Sequence, residues 1–592
     1  MPCSALLSTP ARRADLAALL AADPRFEAER ARCVARFIAG LSASWPASWP
    51  ASRPANRPQG SRPALYGCGG LGRRLAREHA DALRRAGAVF VATRPEADNF
   101  EGFPLHSPEN LPEHCGPALL LSATYAGEMR AALPEKAAAD ALDLARVLRE
   151  SACAEDLLPL ERAMDEAADA LARRMAAEVP RDRPLACFLL SNFGTHAPQV
   201  LAGVQGAGWR VAVLTHAGLA PGAEEDMRAR GQLDLLHAEP SAEALRLVLG
   251  SLLAKGRPFA VVHAWTSFSN HGFLADLARA GVPLVAGIDA ALPPLFQGGS
   301  FGTNLCAELG TSREELLADW RALYTLSAGI VSKDSPALDA YFERELDARP
   351  RRMLHQLPPV GPAPAKRAGS PKNGPVRVVF IGSLHTSARR EDLFNIPDFV
   401  DIVRQFTARG IALTAINNLD GGTGAGNGHS GGWDGLRALA EEEPLFEYRP
   451  RVPFEELPQT LSGFHFGLLW HHPRLSARLP LTHATNLQTK LCAHIQAGLP
   501  TLAPAELSWC AELTETLGVG LSFRHGDFDR LPELLAGFDR ARCLRAMDAA
   551  RERLGIGPHA AALAEFLRRA AGLPDVTEPV KTGTAETGEN AA

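Results

Sequence analysis

The sequence lacks the cysteine patterns that mark disulfide-rich and zinc-binding proteins. Its ten cysteines form no Cys-x-x-Cys pair and no Cys/His spacing of a structural zinc site. Scattered, unpatterned thiols are typical of a reducing compartment, so we expect a cytoplasmic protein. No Asp-rich metal-binding spacing is present either, and we expect neither a bound metal nor a cofactor.

The sequence also lacks long apolar segments. No stretch approaches the roughly 20 apolar residues that span a bilayer. The first twenty residues contain no apolar core followed by a small-residue cleavage site, which argues against a secretory signal. Any membrane association is therefore expected to be peripheral.

A strong excess of charge of one sign is missing as well. Lys and Arg number 62 and Asp and Glu 67, which gives a formal net charge of -5 over 592 residues. Nucleic-acid-binding proteins usually show a basic patch or stripe, so no nucleic-acid partner is expected. The hydrophobic fraction of 46% is ample for several buried cores, and the length suggests three or four domains.

Shifts in composition divide the chain into segments. A proline repeat after residue 43 and a Pro/Gly/Lys-rich stretch after residue 357 predict exposed linkers, because repeated proline stiffens a chain and removes backbone donors. The predicted divisions are N-terminal helices (1–43), a proline-rich linker (44–63), an accessory domain (64–134), a helical connector (135–182), a first large domain (183–357), a linker (358–375), a second large domain (376–572) and a disordered tail (573–592).

Both large segments alternate short apolar runs with helical stretches. Such near-continuous apolar strands are typical of a parallel sheet that is covered on both faces. Two units of this kind leave a cleft where the carboxyl ends of their strands meet, and ligands of open α/β sheets bind at those ends. The clearest predicted strands are 186–190, 210–214, 234–236, 260–263, 284–287, 328–331, 376–381, 412–416, 466–470 and 500–503.

Motifs in the two large segments resemble those of a known family. The second contains VVFIGSLHTSARRED, then LFEYRPRVPFEELPQTLSGFHFGLLW, then NLQTKLCAHIQAGLPTL; the first contains VVHAW, GVPLVAGID and LSAGIVSKDSPAL. In this order they resemble the donor and acceptor domains of GT-B glycosyltransferases of the family 1 and family 4 type, over about residues 184–571. The resemblance implies an α/β protein: two Rossmann-like domains in the GT-B arrangement, preceded here by an N-terminal Rossmann-like domain and a helical connector.

The same resemblance implies a function. The chain would be a hexosyltransferase-like enzyme of polysaccharide biosynthesis that uses a nucleotide-sugar donor. Its acceptor would be a glycan, a lipid-linked molecule or a protein, and these three remain open. Charge grows on the leaving diphosphate during transfer, and cations, helix N-termini and close backbone stabilise it. The candidate donor-binding residues are Gly382, Ser383, Arg389, Arg390, Asn486, Thr489 and Lys490.

The chain departs from the family pattern at one pair of positions. Many retaining members carry two glutamates eight positions apart, the second of which contacts the nucleotide ribose. Thr485 and Ala493 stand at the corresponding positions here. His494 or Gln488 are the candidate substitutes. Retention or inversion of the anomeric centre is therefore left open.

Candidate catalytic residues follow the strands of the first large segment. A general base for the acceptor hydroxyl is a histidine or a carboxylate. His196 ends the stretch SNFGTH, which stands where the family's acceptor loop falls. His263 ends a strand, and His271 and Asp289 follow other strand ends. Each of these residues equally fits a structural role.

The accessory segment carries a separate glycine motif. Gly67, Gly69 and Gly72 form G-x-G-x-x-G between a short strand and a helical stretch, as in nucleotide-binding folds. The acid expected at the end of the second strand is absent, with only Glu96 or Asp98 displaced beyond it. Nucleotide or sugar-nucleotide binding, NAD-linked redox chemistry and a structural or docking role all remain open.

Three alternatives to the transferase hypothesis follow from these features. A GT-B-fold sugar-nucleotide epimerase or hydrolase would use the same cleft. A catalytically silent scaffold of a surface-glycan assembly pathway would fit the missing glutamates. An NAD(P)-dependent dehydrogenase centred on the glycine motif leaves most of the chain unexplained.

Overall fold

The computed structural model describes most of the chain. The described residues are 10–41, 62–111 except 94, 96 and 98, 115–121, 129, 132–134, 141–144, 147–148, 152–190, 196–216, 223–256, 258–266, 270–288, 312–364, 374–382, 399–417, 434–449, 452–453, 456–470 and 480–574. The predicted tail beyond residue 574, most of the first predicted linker and half of the second lie outside them. In the described part, no helix combines the length and apolar character needed to cross a membrane.

The first unit is a small, mostly parallel sheet with helices. Its strand order is β3-β4-β2-β1-β5-β6, and only the β3–β4 pair is antiparallel. Its elements are helices α1 (Pro10–Ala22), α2 (Glu27–Leu41), α3 (Gly70–Glu78) and α4 (Ala80–Arg85) and strands β1 (Arg62–Tyr66), β2 (Val89–Val91), β3 (Asn99–Phe100), β4 (Phe103–His106), β5 (Cys115–Leu120) and β6 (Leu142–Asp143).

The predicted helical connector is shorter than the sequence pattern suggested. The pattern predicted helix from residue 136 to 177, but β6 pairs in parallel with β5 and so belongs to the first sheet. The long helix α5 (Ala154–Glu178) begins only after it. The apolar residues Leu142, Leu144, Val147 and Leu148 have a helix-like spacing, and all are buried. Leu144, Val147 and Leu148 are helical, as the spacing predicted. Only Leu142 and Asp143 form a strand instead, because pairing with β5 overrides the local helix propensity there.

The second unit is a seven-stranded, fully parallel sheet. Its strand order is β13-β12-β11-β10-β7-β8-β9. Its strands are β7 (Leu185–Leu190), β8 (Arg210–Thr215), β9 (Leu235–Ala238), β10 (Val261–Trp265), β11 (Leu284–Ile288), β12 (Gly329–Ser332) and β13 (Met353–His355), and its helices are α6 (Ala197–Gly206), α7 (Ala223–Ala229), α8 (Ala242–Lys255), α9 (His271–Arg279), α10 (Arg313–Leu326) and α11 (Pro336–Leu346).

The third unit is a six-stranded, fully parallel sheet of order β16-β15-β14-β17-β18-β19. Its strands are β14 (Arg377–Gly382), β15 (Ala412–Asn417), β16 (Phe446–Arg449), β17 (Phe466–Leu468), β18 (Thr501–Pro504) and β19 (Gly520–Phe523). Its helices are α12 (Phe399–Thr407), α13 (Asp434–Glu442), α14 (Leu457–Leu461), α15 (Pro480–Thr485), α16 (Lys490–Ala497), α17 (Ser508–Thr516), α18 (Leu531–Ala536), α19 (Arg540–Arg553) and α20 (Ile556–Ala570).

Both larger sheets are parallel, as sequence patterning predicted. The central strands β10, β11 and β14 are buried along nearly their whole length, which requires helices on both faces of the sheet. In each sheet the strand order reverses beside the first strand, between β7 and β10 and between β14 and β17. Ligands of open α/β sheets bind outside the carboxyl ends of the strands at such a switch point.

The last helix, α20, crosses back from the third unit to the second. It packs against α6 and the sheet of the second unit, where Leu563, Phe566 and Leu567 are buried. The indole Nε1 of Trp209 donates a hydrogen bond to the carbonyl of Ala564 (3.2 Å). The packing of α20 therefore connects the second and third units near the cleft.

Candidate functional site

A cavity of about 880 Å³ lies between the second and third units at the carboxyl edges of their sheets. Its walls come from the ends of β7 and β10, from β12 and β14, and from the first turn of α16. The polar and charged residues among its described lining are His196, His216, Arg246, His263, Thr266, Asn270, Lys333, Gln356, Thr489, Lys490, Gln496 and His559. The sequence predicted a cleft in this place, and two of the candidates it offered in the first large segment, His196 and His263, line it.

Lys490 begins α16 and reaches the cavity beside β14. Its ammonium lies 4.8 Å from the centre of the Phe380 ring, and burial lowers its pKa to about 8. A Cβ atom built on Gly382 would lie 2.6 Å from Cε of Lys490. Glycine at 382, which also has φ of +150°, is therefore what lets the lysine approach the end of β14. A half-buried cation facing a cavity is suited to an anionic ligand.

A second lysine enters the cavity from the other unit. Lys333 follows β12 and is only 7% exposed. Its Nζ lies 3.4 Å from Oδ1 of Asp334 and 3.5 Å from Oδ1 of Asn486. Asp334 also accepts a hydrogen bond from the backbone N–H of Leu487 (2.9 Å), and the N–H of Ser335 donates to the carbonyl of Thr485 (2.9 Å). The two units thus meet at this point, with one lysine from each lining the same cavity.

Sequence reasoning passed over Lys333 because no local pattern distinguishes it. It stands after the serine of a strand already assigned to the sheet, and its pairing with Asn486 bridges 153 positions. Asn486, predicted as a donor-binding residue, contacts Lys333 but is not itself among the described residues that line the cavity. Thr489 is exposed and lines the cavity. Its side chain makes no capping bond, although it occupies the N-cap of α16.

His263 lies in β10 with its ring against the cavity. Its Nδ1 lies 3.0 Å from the carbonyl oxygen of Val285, which can only accept, so Nδ1 carries the proton and Nε2 carries a lone pair. Burial lowers the pKa of His263 to about 4, so the ring is neutral at pH 7. This tautomer is the form that a general base requires.

His559 and Gln356 complete the polar side of the cavity near His263. Nδ1 of His559 lies 3.1 Å from the carbonyl oxygen of Leu357, and burial, with a smaller effect of His263, lowers the pKa of His559 to about 4. The side-chain amide of Gln356 donates to the carbonyl of His559 (2.8 Å), while its buried Oε1 has no hydrogen-bond partner. No sequence pattern indicated this pair, because His559 reaches the second unit only through the crossing helix α20.

The remaining predicted catalytic residues are not brought together in the same way. His196 lines the cavity, and burial lowers its pKa. His271 instead stacks on Trp320 with ring centres 6.1 Å apart, and its Nε2 lies 3.9 Å from Oδ2 of Asp319. It is not among the described lining residues. Asp289 lies outside the described residues, as do the predicted donor-binding residues Ser383, Arg389 and Arg390.

Of the two positions that the sequence resemblance aligns with glutamates, position 493 can be placed relative to the cavity. Ala493 lines the cavity, so a side chain at this position faces the ligand space. His494 and Gln488, the two candidate substitutes for the missing glutamate, make other contacts. The ring of His494 packs on Gly467, with Nδ1 3.2 Å from Oγ1 of Thr501, and the amide of Gln488 donates to the carbonyl of Trp470 (3.3 Å).

The glycine motif of the first unit forms a tight strand-to-helix turn. Gly67 has φ of +130°, and a Cβ atom on Gly72 would collide with the carbonyl oxygen of Gly67. Two of the three glycines are thus required by backbone packing alone. The carboxylate of Glu27 lies beside Gly70, 3.3 Å from where a Cβ atom on that residue would be. A negative charge at the first turn of α3 favours a structural role over pyrophosphate binding, and nucleotide binding here stays a prediction.

Two parallel sheets that face each other across a cavity, with a last helix that crosses back to the first of them, define the GT-B fold. The fold predicted from the sequence motifs is therefore confirmed. Neither a protein-family model nor a curated protein sequence matches the chain.

Several solved structures are similar to the chain at low sequence identity. HepE of Anabaena in complex with UDP and glucose is 12% identical over 64% of this chain and 98% of its own, with a TM-score of 0.41. A UDP-glucosyltransferase of Polygonum tinctorium is 12% identical over 66% and 100%, with a TM-score of 0.36. A glycosyltransferase of Rickettsia africae is 8% identical over 66% and 99%, with a TM-score of 0.42. The similarity to these structures concerns the fold alone.

Proposed function

We propose that this chain is a glycosyltransferase that moves a sugar from a nucleotide-sugar donor to an acceptor hydroxyl, with no metal or cofactor. The observation that carries the proposal is the convergence of Lys490, Lys333 and His263 on one cavity at the switch points of two parallel sheets. The scattered cysteines, those of the described part being unpaired, support a cytoplasmic site of action.

The two lysines supply what a leaving nucleoside diphosphate requires. As the bond between the sugar and the diphosphate breaks, negative charge accumulates on the phosphate oxygens. Fixed cations in a cavity that is partly shielded from solvent stabilise that charge more strongly than the same groups in water. Lys490 would bind the diphosphate from the third unit and Lys333 from the second, so that donor binding also holds the two units together.

His263 supplies what the acceptor requires. Its Nε2 lone pair would accept the proton of the acceptor hydroxyl as that oxygen attacks the anomeric carbon. The bond from Nδ1 to the carbonyl of Val285 fixes the ring and its tautomer. Positive charge that forms on the ring lies in the same cavity as the departing diphosphate, which stabilises it.

Donor binding tests the first part of the proposal. Purified protein is titrated calorimetrically with UDP-, GDP-, CMP- and dTDP-sugars, and one class is expected to bind. Lys490→Ala should weaken that binding about tenfold or more, since a charge-assisted contact of this kind is worth roughly 1.5 to 3 kcal/mol. Lys255→Ala, which removes an exposed lysine of α8, is the matched control and should bind normally. Binding of none of the four classes by folded protein would contradict the proposal.

A nucleotide-sugar-binding protein without turnover is the second candidate. Ala493 favours it, because this cavity-lining position carries a carboxylate in many retaining relatives. Single-turnover assays with the donor identified above and simple acceptor alcohols separate the two candidates. A transferase should release nucleoside diphosphate, and His263→Gln should slow release about 100-fold or more while donor affinity is kept. His271→Gln, outside the described lining, should remain within about twofold of wild type. Donor binding with no turnover under any condition would favour the silent protein.

A further inference from the structure

The end of the cavity that lies within the second unit is apolar. It extends from the lysines towards α8 and α9, under the carboxyl ends of β7 and β10. The apolar side chains that line this end are Leu189, Leu190, Leu245, Leu249, Phe273 and Leu274. A sugar chain presents hydroxyl groups on most of its surface, and burying them against such a wall without hydrogen bonds is unfavourable.

Trp265 adds an aromatic surface to the lining of the same cavity. Its side chain lines the cavity and is 38% exposed, which is high for so large an apolar residue. The indole lies flat on the neighbouring strand, because a Cβ atom on Gly287 would come within 2.5 Å of the ring carbons Cδ2 and Cε3. Glycine at 287 therefore holds the ring in place, and its other face is available to a ligand.

The charged group at the apolar end already has a partner within the chain. Arg246 binds Asp15 of α1, with its Nη2 2.6 Å and its Nε 3.1 Å from Oδ1. Asn270 directs its side-chain amide to the carbonyl of Trp265 (3.0 Å). These polar groups support the walls. A ligand at the apolar end of the cavity would therefore contact mainly alkyl and aromatic side chains.

We infer that this apolar end binds the acceptor through an alkyl or aryl group, with the Trp265 indole as its platform and the acceptor hydroxyl directed towards His263. The inference rests on the proposed function and narrows its acceptor to an amphipathic alcohol, of which a lipid-linked acceptor is one kind. The cavity is continuous from this end to Lys490, so an acceptor seated here would meet a donor held by the lysines.

A homologous series of ligands tests the inference without any variant. Methyl, butyl, hexyl and octyl β-glucosides, all below their micelle concentrations, are titrated calorimetrically into the protein in the absence of nucleotide. Affinity should rise about two- to fourfold with each methylene that enters the apolar end. An affinity that does not change along the series would overturn the inference.

Variants then locate the binding site. Trp265→Ala should weaken octyl glucoside binding about fivefold or more, whereas Trp265→Phe, which keeps an aromatic face, should stay within about twofold. Leu326→Ala is the control, because Leu326 is also 38% exposed but does not line the cavity. Equal binding by wild type and both Trp265 variants would assign the alkyl chain to another surface and overturn the inference.

Failure of the inference can be told apart from failure of the proposed function. Lys490→Ala should leave octyl glucoside binding unchanged, and Trp265→Ala should leave nucleotide-sugar binding unchanged. If alkyl glucosides bind in a way that depends on Trp265 but no nucleotide sugar binds, the apolar site is supported. Only the proposed nucleotide-sugar donor is then contradicted. Nucleotide-sugar binding with no dependence on alkyl length would contradict the apolar site and leave the transferase proposal standing.

Discussion

At the scale of single residues, Lys490 occupies a position that is unfavourable for folding. Burial lowers its pKa from the ordinary 10.5 to about 8, so the unfolded chain holds this proton more tightly than the folded protein does. By linkage, stability rises with pH wherever the unfolded state binds more protons, which here is the window from about pH 8 to 10.5. A charged group that is retained although its burial destabilises the fold is typical of a functional site.

Replacing this lysine should therefore stabilise the fold while it weakens donor binding. Lys490→Met keeps the side-chain volume and removes the charge, and we expect stability at pH 7 to increase by up to about 2 to 3 kcal/mol. The gain should shrink as the pH rises from 7 to 10, since wild-type Lys490 is then neutral in the folded state. Calorimetric melting at several pH values measures this. Lys255→Met, at an exposed lysine, serves as control. A lower melting temperature for Lys490→Met would disprove the argument.

The sequence predicted only part of the candidate site at this scale. Lys490, Thr489 and His263 line the cavity. The two former stood out because they stand at the start of a helix in a recognisable motif. His263 stood out because it ends the apolar run 260–263, although β10 continues to Trp265. Lys333 and His559 did not stand out. They reach the cavity through contacts between segments more than 150 positions apart, and no local pattern carries that information.

At the scale of secondary structure, most of the strands that sequence patterning located are central strands, although the edge strand β9 was located as well. β7, β8 and β14 are nearly continuous apolar runs. Such a run can be recognised in the sequence without knowledge of the tertiary structure. β13 and β16 are edge strands with partly exposed residues, and β6 has only two residues. Each of these strands forms mainly because a neighbouring strand pairs with it. Its own residues therefore show little of the apolar pattern that predicts a strand.

The packing of α20 on α6 gives a test of the crossing helix. A Cβ atom on Gly203 of α6 would overlap the methyl group of Ala560 in α20, whereas one on Gly206 of the same helix would meet nothing within 4 Å. Gly203→Val should lower stability by about 1 to 3 kcal/mol, because a well-packed contact cannot take the added volume. Gly206→Ala should be neutral or slightly stabilising.

Rescue across the contact makes this test specific. Combining Gly203→Ala with Ala560→Gly removes the overlapping methyl group and should recover most of the stability that Gly203→Ala loses. Thermal melting of the four proteins in this cycle gives the coupling between the two positions. Additive effects would show that α20 does not pack on α6 at this point.

At the scale of the whole molecule, the first and second units share one hydrophobic core. Helix α1 packs against α5 and α8, and the buried residues Leu16, Leu19 and Leu20 belong to the same cluster as Leu245 and Leu249 of the cavity wall. The first unit is thus continuous with the unit that contains the candidate acceptor end. We expect it to contribute to the stability of that end whether or not its glycine motif binds a ligand.

The ion pair between Asp15 and Arg246 tests this connection between units. Arg246 lines the cavity, and its side chain is only 11% exposed, so removing its partner leaves a largely buried cation. Asp15→Ala should therefore lower stability by about 2 kcal/mol or more, an effect lessened by Glu243, which lies 3.3 Å from the same guanidinium. Asp169→Ala breaks the exposed pair with Lys255 and should change stability by about 0.5 kcal/mol or less.

The double variant decides whether the first unit acts on the cavity wall through this pair. If Arg246 needs Asp15 only to compensate its buried charge, Asp15→Ala combined with Arg246→Met should recover most of the lost stability, because an apolar side chain of similar length suits that wall. Octyl glucoside affinity should fall in Asp15→Ala, whose unpaired guanidinium admits water to the apolar end, and should return in the double variant. A double variant no more stable than Asp15→Ala would mean that α1 stabilises the second unit by packing alone, and that the wall of the cavity is formed without its help.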